Sequence, residues 1–90
     1  MSRFTALMNR EEIILSINDF LMEEFEIEES RIKPSAKMKD DLGLESLDFV
    51  DIAVIVQKEF GLTLKGEEMT AIKTLNDLYD HIFRFTNRSY

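Results

Sequence analysis

Asp40-Asp41-Leu42-Gly43-Leu44-Glu45-Ser46-Leu47-Asp48 is the stretch from which the rest of the chain can be read. It is acidic, it turns at a glycine, and it places a serine where an apolar helix begins. Gly43 allows a backbone conformation closed to most other residues, which suits a sharp turn. From Ser46 onward the apolar residues fall on two neighbouring stripes, Leu47, Val50, Val54 and Ile52, Val56, Phe60. The β-branched run Val54-Ile55-Val56 would also suit a strand. Length, the capped start and the lack of a second strand candidate decide for a helix over residues 46–60. Glu45 and Asp48 support that start, because carboxylates are stabilised at the positive end of a helix dipole. Gly61 fits the position just past the last turn.

Upstream, Asn9-Arg10-Glu11-Glu12 reads as a capped helix start, with Glu12 three residues after the capping Asn9. Ile13, Ile17 and Phe20, with Ile14, Leu21 and Phe25 alongside, predict a first helix over about 10–25. Residues 26–45 form a long connection holding the only proline, Pro34. It opens acidic, turns basic at Arg31, Lys33, Lys37 and Lys39, and carries spaced apolar anchors at Ile27, Ile32, Met38 and Leu42. A loop of that length belongs in a compact domain when it is functional or packed down, and the anchors predict packing. Downstream, Leu62–Lys65 reads as an extended link and 66–72 as one or two helical turns with Met69 and Ile72 facing in. Thr74-Leu75-Asn76-Asp77 is a second capping-box start, leading into a last helix over about 74–86. Residues 87–90 are expected to fray. The expected fold is all-α: a small four-helix bundle, three longer helices and a short third one, with a long loop between helices 1 and 2.

Ninety residues suit a single domain spanning 1–90, with its core at about 10–86. The chain has no cysteine, which excludes disulfides and thiolate metal sites. Its net charge is −7 and its bases are scattered, so nucleic acid and anionic membrane are not expected partners. Partners should instead carry basic patches. No apolar run is long enough to span a membrane, and residues 1–8 lack a secretory pattern, so the expected location is cytoplasmic.

Enzyme constellations are missing. The one histidine, His81, lies in the last helix without a cysteine or a phosphate loop, and reads as a half-buried or surface helix residue. The acids at 40–51 fail the spacing of an EF-hand, since Leu42 stands at its third position and Glu45 at its sixth, so no metal is expected. For Ser46 two readings stand. It can be an N-cap, since serine is favoured there. Or it can be presented to another protein, ringed by Asp40, Asp41, Glu45, Asp48 and Asp51. It is poorly placed as its own nucleophile, with no base to activate it and negative charge opposing an oxyanion.

Asp41-Leu42-Gly43-Leu44-Glu45-Ser46-Leu47-Asp48, followed by Phe60-Gly61 and an Ile72-Lys73-Thr74 link, resembles the discrete acyl carrier proteins over about residues 10–86. The resemblance implies that Ser46 receives 4′-phosphopantetheine from coenzyme A through a separate phosphopantetheinyl transferase. The arm's thiol would carry acyl groups as thioesters in fatty-acid or polyketide-type synthesis, and the protein would not itself be an enzyme. Glu45, Leu47, Asp48, Val50, Asp51 and Val54 would meet acyl-transferring and chain-elongating enzymes that carry basic docking patches. For Val50 and Val54, ordinary core packing is the competing reading. The carrier would act as a monomer. Glu45 stands where the family usually has aspartate, Phe49 where a small or polar residue is common, and the short third helix lacks the common proline. These departures point to a specialised pathway. The alternatives are an unmodified carrier-like module docking through its acidic second helix, and an aminoacyl carrier, against which Asp48 speaks. A hydrolase using Ser46 ranks behind both.

Overall fold

Asn9 opens helix α1 (Arg10–Phe25) in this computed structural model, which describes residues 9–87. The expectations about residues 1–8 and about fraying at 88–90 lie outside the described residues, while Asn87, expected to fray, is the last residue of the final helix. The capping box is reciprocal: the Glu12 N–H donates to the Asn9 side chain at 2.8 Å, and the Asn9 N–H to the Glu12 carboxylate at 3.0 Å. Each bond satisfies a donor that the helix itself leaves unpaired. Ile13, Ile17, Phe20 and Leu21 are buried along one face, as their spacing requires. The helix stops at Glu26, whose φ of 55° is left-handed, and whose N–H donates to the Leu21 carbonyl.

The long connection is packed down. Ile27, Met38 and Leu42 are buried and Ile32 is half-buried, as the anchor pattern predicts; Ala36 and Leu44 join them. One short 3-10 turn, Glu29–Arg31, was not foreseen, because no apolar periodicity marks it. A helical turn follows at 37–43. The Asp41 carboxylate accepts the Lys37 N–H at 2.7 Å, and the Gly43 and Leu44 N–H groups return to the Lys39 and Met38 carbonyls at 3.0 and 3.1 Å.

Helices α2 (Ser46–Phe60), α3 (Gly66–Ala71) and α4 (Leu75–Asn87) complete the bundle. α4 begins one residue later than expected, because Thr74 serves as its cap. The Asp77 N–H donates to the Thr74 hydroxyl at 3.2 Å, and the Asp77 carboxylate accepts the N–H groups of Thr74 and Lys73, each at 3.0 Å. Those two backbone donors, Thr74 first, hold the Asp77 carboxyl below its ordinary value. α1 packs on α4, where Leu75, Leu78, Tyr79 and Ile82 are buried. Arg10 pairs with Asp80 and donates to Asn76 at 2.6 Å, and the Tyr79 hydroxyl donates to the Asn18 side chain.

One further tie matters for the site. The long loop and the link into α4 meet at a single antiparallel bridge, Lys37 with Thr74. The Met38 N–H donates to Lys73, Leu75 to Ala36 and Asn76 to Pro34, each at 2.9 Å. These bonds fasten the segment before the site to the base of α4.

Candidate functional site

Gly43 makes the turn with φ 72°, and buried Leu42 and Leu44 pin the chain on either side of it. Glu45 is then extended and stands as the N-cap of α2; the Phe49 N–H donates to its carbonyl at 3.1 Å. The Asp48 carboxylate accepts the Glu45 N–H at 2.9 Å. This corrects the reading of Ser46 as an N-cap. The cap belongs to Glu45 and Asp48, and Ser46 is the first residue inside the helix. Its side chain is exposed, and its hydroxyl has no hydrogen-bond partner among the described residues. The serine therefore performs no capping work.

Ser46 opens on a cavity of about 500 Å³. Met38, Phe49, Met69 and Ile72 supply its apolar lining, with Met38 and Ile72 buried and Phe49 and Met69 half-buried. Phe49 was noted in the sequence as a departure. Met69 was expected to face in, but nothing in the sequence tied it to Ser46; α3 brings it there.

The outward face of α2 is apolar. Leu47, Val50 and Val54 are 80, 59 and 53% exposed, whereas Ile52 and Val56 on the same helix are fully buried. Core packing is thus excluded for Val50 and Val54. Glu45 and Asp51 are exposed beside them, and Asp48 is half-buried by its capping bond. The residues expected to meet partners therefore share one end and one face of α2, except that Asp48 also has a local structural role.

His81 is not part of this site. It is half-buried, with Nε2 3.8 Å from the Glu68 carboxylate, and it lines a different cavity with Gly61 and Leu62. His81 lines that other cavity and Ser46 does not, so the structure does not bring the serine and the histidine together. Among the described residues, no group of three or more Asp, Glu, His or Cys side chains could hold a metal ion, and no helix is long and apolar enough to cross a membrane.

A phosphodiester-linked arm fits this arrangement. The alcohol is exposed and not engaged elsewhere, a helix N-terminus favours a phosphate bonded there, and the adjoining cavity has apolar walls.

Comparison with known proteins agrees with the geometry. A family described as a phosphopantetheine attachment site matches residues 16–82. An acyl carrier protein of Thermotoga maritima is 33% identical over 76 residues, which cover 84% of this chain and 94% of that protein. One of Coprothermobacter proteolyticus is 36% identical over 75 residues, 83% of this chain and 92% of its own. An acyl carrier protein 2 of Ralstonia nicotianae is 34% identical over 71 residues, 79% of this chain and 88% of its own.

Proposed function

This chain belongs to the acyl carrier protein family, which carries acyl groups on a covalent 4′-phosphopantetheine, and from that premise we propose that Ser46 is the residue that holds the arm. The observation that carries the assignment is an exposed serine hydroxyl, released from capping by Glu45 and Asp48, at the mouth of a cavity. In the attachment step, a phosphopantetheinyl transferase joins the Ser46 oxygen to the pantetheine-side phosphorus of coenzyme A. The nucleoside bisphosphate leaves, and the serine proton passes to a base of the transferase. When bound, the arm supplies a thiol that this cysteine-free chain lacks.

The chain's own residues present and advertise the arm. Gly43 and the cap fix where Ser46 stands. Glu45 and Asp51 offer charge to basic patches, and Leu47, Val50 and Val54 offer apolar area beside it. Such contacts at high exposure are weak and salt-sensitive, which suits a carrier that must leave each enzyme in turn. The protein carries rather than catalyses. It acts as a single carrier domain and a monomer in the cytoplasm, within fatty-acid or polyketide-type synthesis and in a specialised branch of it. Glu45 before the serine, Phe49 at the cavity and a third helix without proline support that last point.

Incubation with coenzyme A and a broad-specificity transferase is expected to add one arm by mass, and Ser46→Ala to abolish the addition. Partner binding that persists at full strength in unmodified Ser46→Ala, with no arm on the wild type from any transferase, would instead favour an unmodified docking module.

A further inference from the structure

The exposed surface changes sign beside the attachment serine. Residues 31–39 carry four bases, Arg31, Lys33, Lys37 and Lys39, and no acid, and all four bases are exposed. Ala36 and Met38 alternate with them and are buried, so packing of the loop turns Lys37 and Lys39 outward. The bridge of Lys37 with Thr74, and the bond from the Met38 N–H to the Lys73 carbonyl at 2.9 Å, bring exposed Lys73 to the same part of the surface. Lys37, Lys39, Lys73 and Ser46 all border one cavity, so this basic patch adjoins the serine. From Asp40 onward the sign reverses: Asp40, Asp41, Glu45 and Asp51 are exposed, the last of them on α2.

Arg31 donates to the Asp41 carbonyl at 2.5 Å, and the four lysine ammonium groups make no ion pair among the described residues. The positive face therefore stays uncancelled in a chain of net charge −7. An enzyme that reaches Ser46 meets both signs at once, since charges act over about a Debye length, about 10 Å at 0.1 M salt. A docking patch that is basic throughout gains from Glu45 and Asp51 and is repelled by the lysines. Like-charge juxtaposition of this kind is how interfaces reject a wrong partner. A partner with acidic side chains beside its basic ones gains on both sides.

We propose that Lys37, Lys39 and Lys73, with Lys33 at the edge, form a second docking surface whose partner is an acidic patch on the enzyme that handles the arm. This rests on Ser46 as the attachment point and goes further, because it names the charge pattern that separates this carrier's own enzymes from those with a basic patch alone.

Two measurements test it, and the first needs no attachment. Peptides with a lysine block joined by glycines to a block of glutamates, or of glutamines, are titrated into Ser46→Ala and followed by NMR. The lysine block should move amides at 45 and 51 with either peptide. The glutamate block should also move amides at 37, 39 and 73 and tighten binding about tenfold. High salt should shrink that difference, and the triple variant Lys37→Gln/Lys39→Gln/Lys73→Gln in the same background should erase it. The second measurement follows arm transfer by a broad-specificity transferase with a basic docking patch. At low salt the triple variant should be modified with a kcat/KM about tenfold above wild type, and at high salt the two should be equal. Equal affinity for the two peptides, or equal kcat/KM for the two carriers at low salt, overturns the proposal. Phosphatidylglycerol vesicles that bind wild type and not the triple variant would give the lysines to a membrane, and would also overturn it. Failure of wild type to gain mass would overturn the attachment at Ser46 instead, and the peptides would still decide the docking surface.

Discussion

Gly43 has φ 72° and nothing within 4 Å of where a Cβ would sit. Its glycine is therefore demanded by the backbone and not by packing. Gly43→Ala should lower stability by about 1–2 kcal/mol, the cost of a left-handed alanine, with Gly43→Asn losing less. Denaturant midpoints of the two variants check this, and an alanine variant as stable as wild type would mean that the turn had rearranged. The turn was legible from the sequence, because a glycine among acids before an apolar run has few other uses. The identity of the cap was not. Ser46 and Glu45 are adjacent, serine has the higher cap preference, and only the backbone shows which of them stands outside the helix. That one-residue difference is what leaves the serine hydroxyl without a structural task.

At the scale of elements, α2 carries two apolar faces in different surroundings. Ile52 and Val56 are fully buried, while Val50 and Val54 stand more than half in solvent. Ile52→Ala should cost about 2–5 kcal/mol by leaving a cavity. Val50→Ser with Val54→Ser should stay within about 0.5 kcal/mol of wild type per site and yet weaken binding to acyl-handling partners. Urea titration paired with a transferase binding assay separates the two effects. Unchanged binding in the stable double variant would remove these valines from the docking face. Both stripes were visible as periodicity, but periodicity cannot say which faces the core. That depends on where the loop, α1 and α4 lie.

For the whole molecule, Tyr79 ties α4 to α1 through Asn18. Burial, opposed by that hydrogen bond and by the charge of Arg10, raises the phenol from its ordinary value to about 12. Below about pH 10 the phenol is neutral in both folded and unfolded chains, and its contribution is complete. Between 10 and about 12 only the unfolded chain ionises, so stability falls as pH rises, and above that range the contribution is gone. Tyr79→Phe should therefore lack this alkaline decline and should lose about 0.5–1.5 kcal/mol at neutral pH with the hydrogen bond. The difference between wild-type and variant stability across pH 9–12 is the measurement. An identical alkaline slope would show that another group governs it.

The sequence by itself determined the helices, the caps of α1 and α4 and the packed long loop, because these follow from spacing and short-range hydrogen bonding within a few residues. It also brought out Ser46, through a motif that local chemistry makes legible. What only the tertiary structure decided is what lies around that serine. Lys73 and Met69 reach the site from more than twenty positions away, through one backbone bridge and the placement of α3. No local pattern encodes such a meeting. The shape of the cavity and the charge beside it arise from chain closure, and they become readable once the loop and α4 are fastened together.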